Sequence, residues 1–125
     1  MIGYVTLGTN DLEKATAFYD ALFAEIGIGR LMQGDNFVAW GASASAPALS
    51  VITPFDGEPA SAGNGTMVAL VMSSKEQVEQ LHRKAIELGA TNEGDAGPRG
   101  DTFYAGYFRD PDGNKLNAFV MTPTS

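Results

Sequence analysis

The sequence contains no cysteine. Disulfides, thiolate metal sites and thiol nucleophiles are therefore excluded, and the cytoplasm is the default location for such a chain. It has no apolar run long enough to span a bilayer. The first residues, MIGYVTLGTND, have neither the basic start nor the long apolar core of a signal peptide and read as a strand leading into a helix. Basic residues are scarce as well, 8 Lys and Arg against 15 Asp and Glu, for a net charge of -7. Such a balance makes a phosphate backbone an unfavourable partner and mildly favours cationic small molecules. Its plainest role is solubility.

What remains is enough for one domain, 1–125, able to bury a core without staples. Residues 2–8 alternate as a strand, with Val5 and Leu7 on one face and Tyr4 and Thr6 on the other. Asn10 followed by Glu13 has the spacing of a capping box. Leu12, Ala15, Tyr19, Leu22 and Ile26 then recur at helical spacing until Gly27. Three strand candidates follow, near 28–34, 36–41 and 47–53. Residues 54–65, PFDGEPASAGNG, have the composition of a linker. The same order then begins again. TMVALVM reads as a strand, and a helix opens on Ser74 and Gln77 and closes on Gly89. Strands are expected near 90–94, 102–109 and 114–121, with a flexible loop at EGDAGPRGD. The chain thus divides into 1–53, a linker 54–65, and 66–125, and each half is too small to bury its sheet alone.

Few residues offer chemistry outright. The single histidine, His82, lies beside the apolar stripe of the second helix, which should pack on the outer sheet face and turn the imidazole away from a cavity. Asp110 and Asp112 belong to DPDGN, a hairpin turn in which Gly113 supplies positive φ. No Ser-His-Asp or paired-carboxylate constellation emerges, so no catalytic residue is identified.

The doubled order, together with DLEKATAFYDALFAEIG after the first strand, GTMVALVM opening the second half and DPDGNKLNAF near the end, resembles the vicinal oxygen chelate superfamily. That group includes glyoxalases, bleomycin-resistance proteins, fosfomycin-modifying enzymes and extradiol dioxygenases. The resemblance implies an α+β fold of two tandem βαβββ modules, forming an open, cavity-enclosing mixed β-sheet with helices on the outer face. It also implies a homodimer with ligand sites at the subunit boundary. Family enzymes hold a divalent metal on the first and last strands of each half, and those positions carry over to Tyr4, Ser50, Met67 and Asn117. A neutral phenol, hydroxyl, thioether and amide are poor ligands for such a cation, so neither metal nor cofactor is expected there.

Strand alternation then points Lys115, Asn117 and Phe119 into the cavity, with Tyr4, Thr6, Ser50, Ile52, Met67, Ala69 and Val71. Trp40 joins them if 36–41 runs in phase. Arg99, in GPRGD, is placed to close over the pocket and hold an anionic group. Tyr104 and Tyr107 fall on opposite faces, so one at most reaches inward. A mainly apolar pocket with a few neutral polar groups suits an uncharged or amphipathic molecule. The expected function is small-molecule binding in a metal-free cavity of the bleomycin-resistance kind. The alternatives are a metal-dependent lyase, isomerase or dioxygenase-related enzyme, and an interaction module.

Overall fold

In the computed structural model, which describes residues 1–122, the expected order is present twice. The first half comprises β1 (Tyr4–Gly8), α1 (Leu12–Ala24), β2 (Gly29–Gln33), β3 (Phe37–Gly41) and β4 (Ala48–Ile52). The second comprises β5 (Val68–Val71), α2 (Lys75–Glu87), β6 (Thr91–Pro98), β7 (Phe103–Arg109) and β8 (Lys115–Met121). Each half forms a mixed four-stranded sheet, in the orders β1-β4-β3-β2 and β5-β8-β7-β6. The first strand of each half runs parallel to its last strand, because the intervening helix makes a crossover, while the remaining neighbours are antiparallel.

Helix α1 begins one residue later than its capping-box signal suggests. Asp11, rather than Asn10, accepts the Lys14 amide at 3.1 Å. Asn10 is drawn away by the linker, where its side chain bonds both the amide and the carbonyl of Ala60. In α2, Ser74 caps Gln77 as expected, and the Gln77 side chain reaches back to Ser73. Gly27 and Gly89 close the two helices at positive φ.

The stretch expected as a flexible loop is for the most part strand β6. Its glycines are absorbed by two irregularities in the β6–β7 pairing, and the Asn92 side chain accepts the Gly94 amide at 2.9 Å.

Each helix covers one face of its own sheet. On the first, Phe18, Tyr19, Leu22 and Phe23 pack on Val38, Trp40, Leu49 and Val51. Tyr19 and Trp40 stand 5.4 Å apart, and so do Tyr19 and Phe23. Such pairs contribute about 0.5–1.5 kcal/mol each beyond the area they bury. On the second, Val78, Leu81 and Ala85 pack on Phe108, Leu116 and Ala118.

The halves meet through the helices and the 110–114 turn. Tyr19 donates its hydroxyl to Asp110 Oδ2 at 2.6 Å across the junction, and Asn114 donates to the Gly8 carbonyl at 2.9 Å. Asp110 Oδ1 also accepts the amides of Asp112 and Asn114, so the turn aims its buried carboxylate at Tyr19. Burial, followed by the Asp110 charge, raises the Tyr19 pKa well above that of an ordinary phenol. Among the described residues no strand of one sheet touches a strand of the other. The two uncovered sheet faces are consequently left open.

Candidate functional site

On the uncovered face of the first sheet lies a cleft of about 520 Å³. The pleat decides its lining. Leu7, Leu49 and Val51 point to α1, so Tyr4, Thr6, Ala48, Ser50 and Ile52 point into the cleft. Phe37 and Ala39 enter from β3, and Leu31 and Met32 from β2. Ala44 and Ala46, in the β3–β4 connection, close one end. Apolar surface dominates. The Thr6 and Ser50 hydroxyls, directly opposite in the β1–β4 register, lie 3.0 Å apart and bond each other.

Trp40 is not part of this lining. It shares its face with Val38, lies 1% exposed under α1 and donates Nε1–H to Asp20 Oδ1 at 2.9 Å. The segment FVAWG is apolar on both faces, so alternation alone could not say which face α1 covers. The same carboxylate pairs with Arg30 at 2.6 Å, and that hydrogen bond is the chief reason the Asp20 pKa is lowered. Phe37 and Ala39 were missed at the sequence level through the same phase error, and Leu31, Met32, Ala44, Ala46 and Ala48 also went unnamed there.

The remaining expected site residues sit on the second sheet. Met67, just before β5, and Ala69 and Val71 on it are exposed. Phe119 stacks on Phe103 at 5.3 Å between ring centres. Tyr107 is the inward tyrosine of the pair, and Tyr104 faces α2, where it bonds Glu79. Arg99 does not reach the first sheet's cleft. Its guanidinium donates to the carbonyls of Asp95 and Gly97 and lies 5.3 Å from the centre of the Tyr107 ring.

Asn117 is opposite Ala69 on one side and Tyr107 on the other. It is only 1% exposed, and its Oδ1 has no hydrogen-bond partner. The comparison with the first sheet supplies the reason. Ser50, the equivalent residue of β4, finds the Thr6 hydroxyl across the parallel register, whereas Asn117 finds the methyl group of Ala69. A buried polar atom without a partner is uncommon and costly.

His82 is buried on the helix side of the second sheet. Its Nε2 faces two acceptors, Asn92 Oδ1 at 3.2 Å and the Tyr107 carbonyl at 3.1 Å, so this nitrogen carries the proton. The imidazole thus ties α2 to the β6–β7 hairpin and turns its back on both open faces.

The fold and the paired open faces agree with known relatives. Residues 1–118 match the family model of the Glyoxalase/Bleomycin resistance protein/Dioxygenase superfamily. The chain belongs to this superfamily. A glyoxalase/bleomycin resistance protein from Albidiferax ferrireducens T118 is 35% identical with a TM-score of 0.88, over 96% of this chain and 98% of that one. A family enzyme from Burkholderia phytofirmans PsJN (18% identity, TM-score 0.76, 95% and 97% covered) shares the fold. So does a lactoylglutathione lyase from Agrobacterium tumefaciens (21%, 0.71, 96% and 92%). No functionally curated protein matches.

Superfamily enzymes use a divalent metal, and the residues at its positions here do not fit one. The Ser50 hydroxyl is engaged by Thr6, Asn117 offers one neutral oxygen, and Tyr4 and Met67 supply a phenol and a thioether. Among the described residues no three His, Cys, Asp or Glu side chains converge in a way that could hold a metal ion. No helix among them is long and apolar enough to cross a membrane.

Proposed function

We propose that this superfamily member is a small-molecule-binding protein that takes an amphipathic organic compound without the aid of a metal. The observation that carries the reading is the cleft of about 520 Å³ on the first sheet, apolar except for Tyr4 and the Thr6–Ser50 hydroxyl pair. Its size falls within the range of drug-sized sites, and the few polar groups would set orientation.

A second copy of the chain closes the site in this reading. Large apolar side chains stand uncovered around the open faces, Tyr4 at 69% and Val71 at 72% exposure among them, and a soluble monomer gains little from such a surface. The second sheet of one copy laid over the first sheet of another would cover both. We place the protein in the cytoplasm, which suits a chain free of cysteine.

The test is direct binding of a neutral amphiphile, 1-decanol, by calorimetry and by its effect on melting. Saturable binding that Ala39→Trp, which fills the cleft floor, weakens by about tenfold supports the reading. Elemental mass spectrometry of untagged protein, with melting in nickel, zinc, manganese and chelator, examines the competing one. Stoichiometric metal that raises the melting temperature, with turnover abolished by Asn117→Ala, would replace it by a metal-dependent lyase or isomerase.

A further inference from the structure

Acidic residues outnumber basic ones 15 to 8 in this chain, so two cations gathered at one place are conspicuous. Arg30, Lys84 and Arg109 each form an ion pair. Lys14, Lys75, Arg83, Arg99 and Lys115 form none among the described residues, and of these five Arg99 and Lys115 converge on one aromatic ring. The Arg99 guanidinium carbon lies 5.3 Å, and the Lys115 ammonium 5.5 Å, from the centre of Tyr107. Two like charges gathered on one ring repel each other, and the arrangement gains when an anion joins them.

Arg99 is also held in place beforehand. Its contacts to the carbonyls of Asp95, Gly97 and Pro98 immobilise the head group without neutralising it. Of its five N–H donors, the Nε–H and one Nη2–H remain unused by the protein. Lys115 Nζ makes no hydrogen bond to a described residue, which leaves all three of its donors for a ligand. A cation fixed in advance loses less entropy on binding than a free surface side chain.

The orphaned Asn117 amide lies in the same place. It faces Tyr107 directly across the β7–β8 register and stands two residues beyond Lys115 on the same face. The acceptor that lacks a partner therefore adjoins two cations that form no ion pair.

We propose that the open face of the second sheet is an anion-recognition subsite, in which Arg99 and Lys115 around Tyr107 take the carboxylate of an organic acid. A hydroxyl next to that carboxylate donates to Asn117 Oδ1 once the side chains covering the amide move aside, and the apolar remainder of the molecule occupies the first-sheet cleft of a second copy laid over this face. The ligand class is an amphipathic hydroxy acid. The global charge of -7 favours cations at long range, but the local groups select the opposite sign. This inference rests on the reading of the protein as a small-molecule binder and adds the chemistry of the ligand.

The test compares four ten-carbon probes below their micellar concentrations, by calorimetry at two salt concentrations: 2-hydroxydecanoate, decanoate, 1-decanol and decyltrimethylammonium. The hydroxy acid should bind about tenfold more tightly than the alcohol, and its affinity should fall with salt. Arg99→Gln with Lys115→Gln should remove that advantage and leave 1-decanol binding unchanged, with melting temperature as the control for folding. If the double variant fails to fold, the order of affinities and the salt dependence of the wild-type protein decide alone. Equal or tighter binding of decyltrimethylammonium, or a hydroxy acid no better than the alcohol, overturns the subsite while the binder reading stands. Failure of all four probes, the alcohol included, overturns both.

Discussion

Replacing Asn117 by leucine should make the protein more stable and a poorer binder. The side chain is 1% exposed, and its Oδ1 has been taken out of water without a partner in return. Burial of an unsatisfied amide costs about 1–3 kcal/mol, and a leucine of similar shape carries no such penalty. Allowing for imperfect packing against Tyr107 and Ala69, the gain should be about 1–2 kcal/mol. For 125 residues the unfolding entropy is about 0.26 kcal/mol/K, so the melting temperature should rise by about 4–8 °C. Calorimetric and urea melts at one fixed protein concentration would read this, since association alone shifts the midpoint. Ala69→Ser approaches the same atom from the other side. It places a hydroxyl where Thr6 faces Ser50 in the first sheet, and should add about 1 kcal/mol by satisfying Oδ1. Both variants should bind 2-hydroxydecanoate more weakly than the wild-type protein does. A leucine variant less stable by 1 kcal/mol or more would show that the amide is already satisfied, and the reasoning would fail.

Two other perturbations probe the scaffold. Tyr19→Phe keeps the buried ring but removes the 2.6 Å bond to Asp110, and should cost about 1.5–3 kcal/mol in urea melts near neutral pH. Because the folded-state pKa of Tyr19 is raised, its protonated form contributes stability in full below about pH 10, where the unfolded phenol titrates. That contribution is lost as pH rises from there toward the folded value, so the phenylalanine variant should show a flatter alkaline limb; an unchanged limb would discard the linkage. Gly106→Ala would set a methyl group 2.9 Å from His82 Cδ2 and 3.2 Å from the Ala96 backbone, at a cost of about 1–3 kcal/mol. Combining it with His82→Ala should recover part of that loss in a double-mutant cycle, and strict additivity would argue against the clash.

Periodicity in the sequence is a local property, and it determined the local facts: the doubled strand-helix order, the stop at each helix-ending glycine, the turn at 110–114 and the inward face of β1, β4 and β8. Tyr4, Thr6, Ser50 and Asn117 were legible for that reason, since the polar side chains of each of their strands fall on one face. The phase of β3 was not legible. Val38 and Trp40 on one face and Phe37 and Ala39 on the other are all apolar, and only the bulk of Tyr19 and Phe23 on α1 decides which pair is covered. Nor could composition reveal that a glycine-rich run pairs with β7, or that Asn10 leaves the helix cap for Ala60, because both depend on partners distant in the chain. The solitude of Asn117 is of the same kind. The sequence by itself placed an amide on an inward face, but strand register set Ala69 opposite it and brought Tyr107, Arg99 and Lys115 to its side. Side-chain direction follows from the pleat of one strand, whereas the company a side chain keeps follows from how separate strands align.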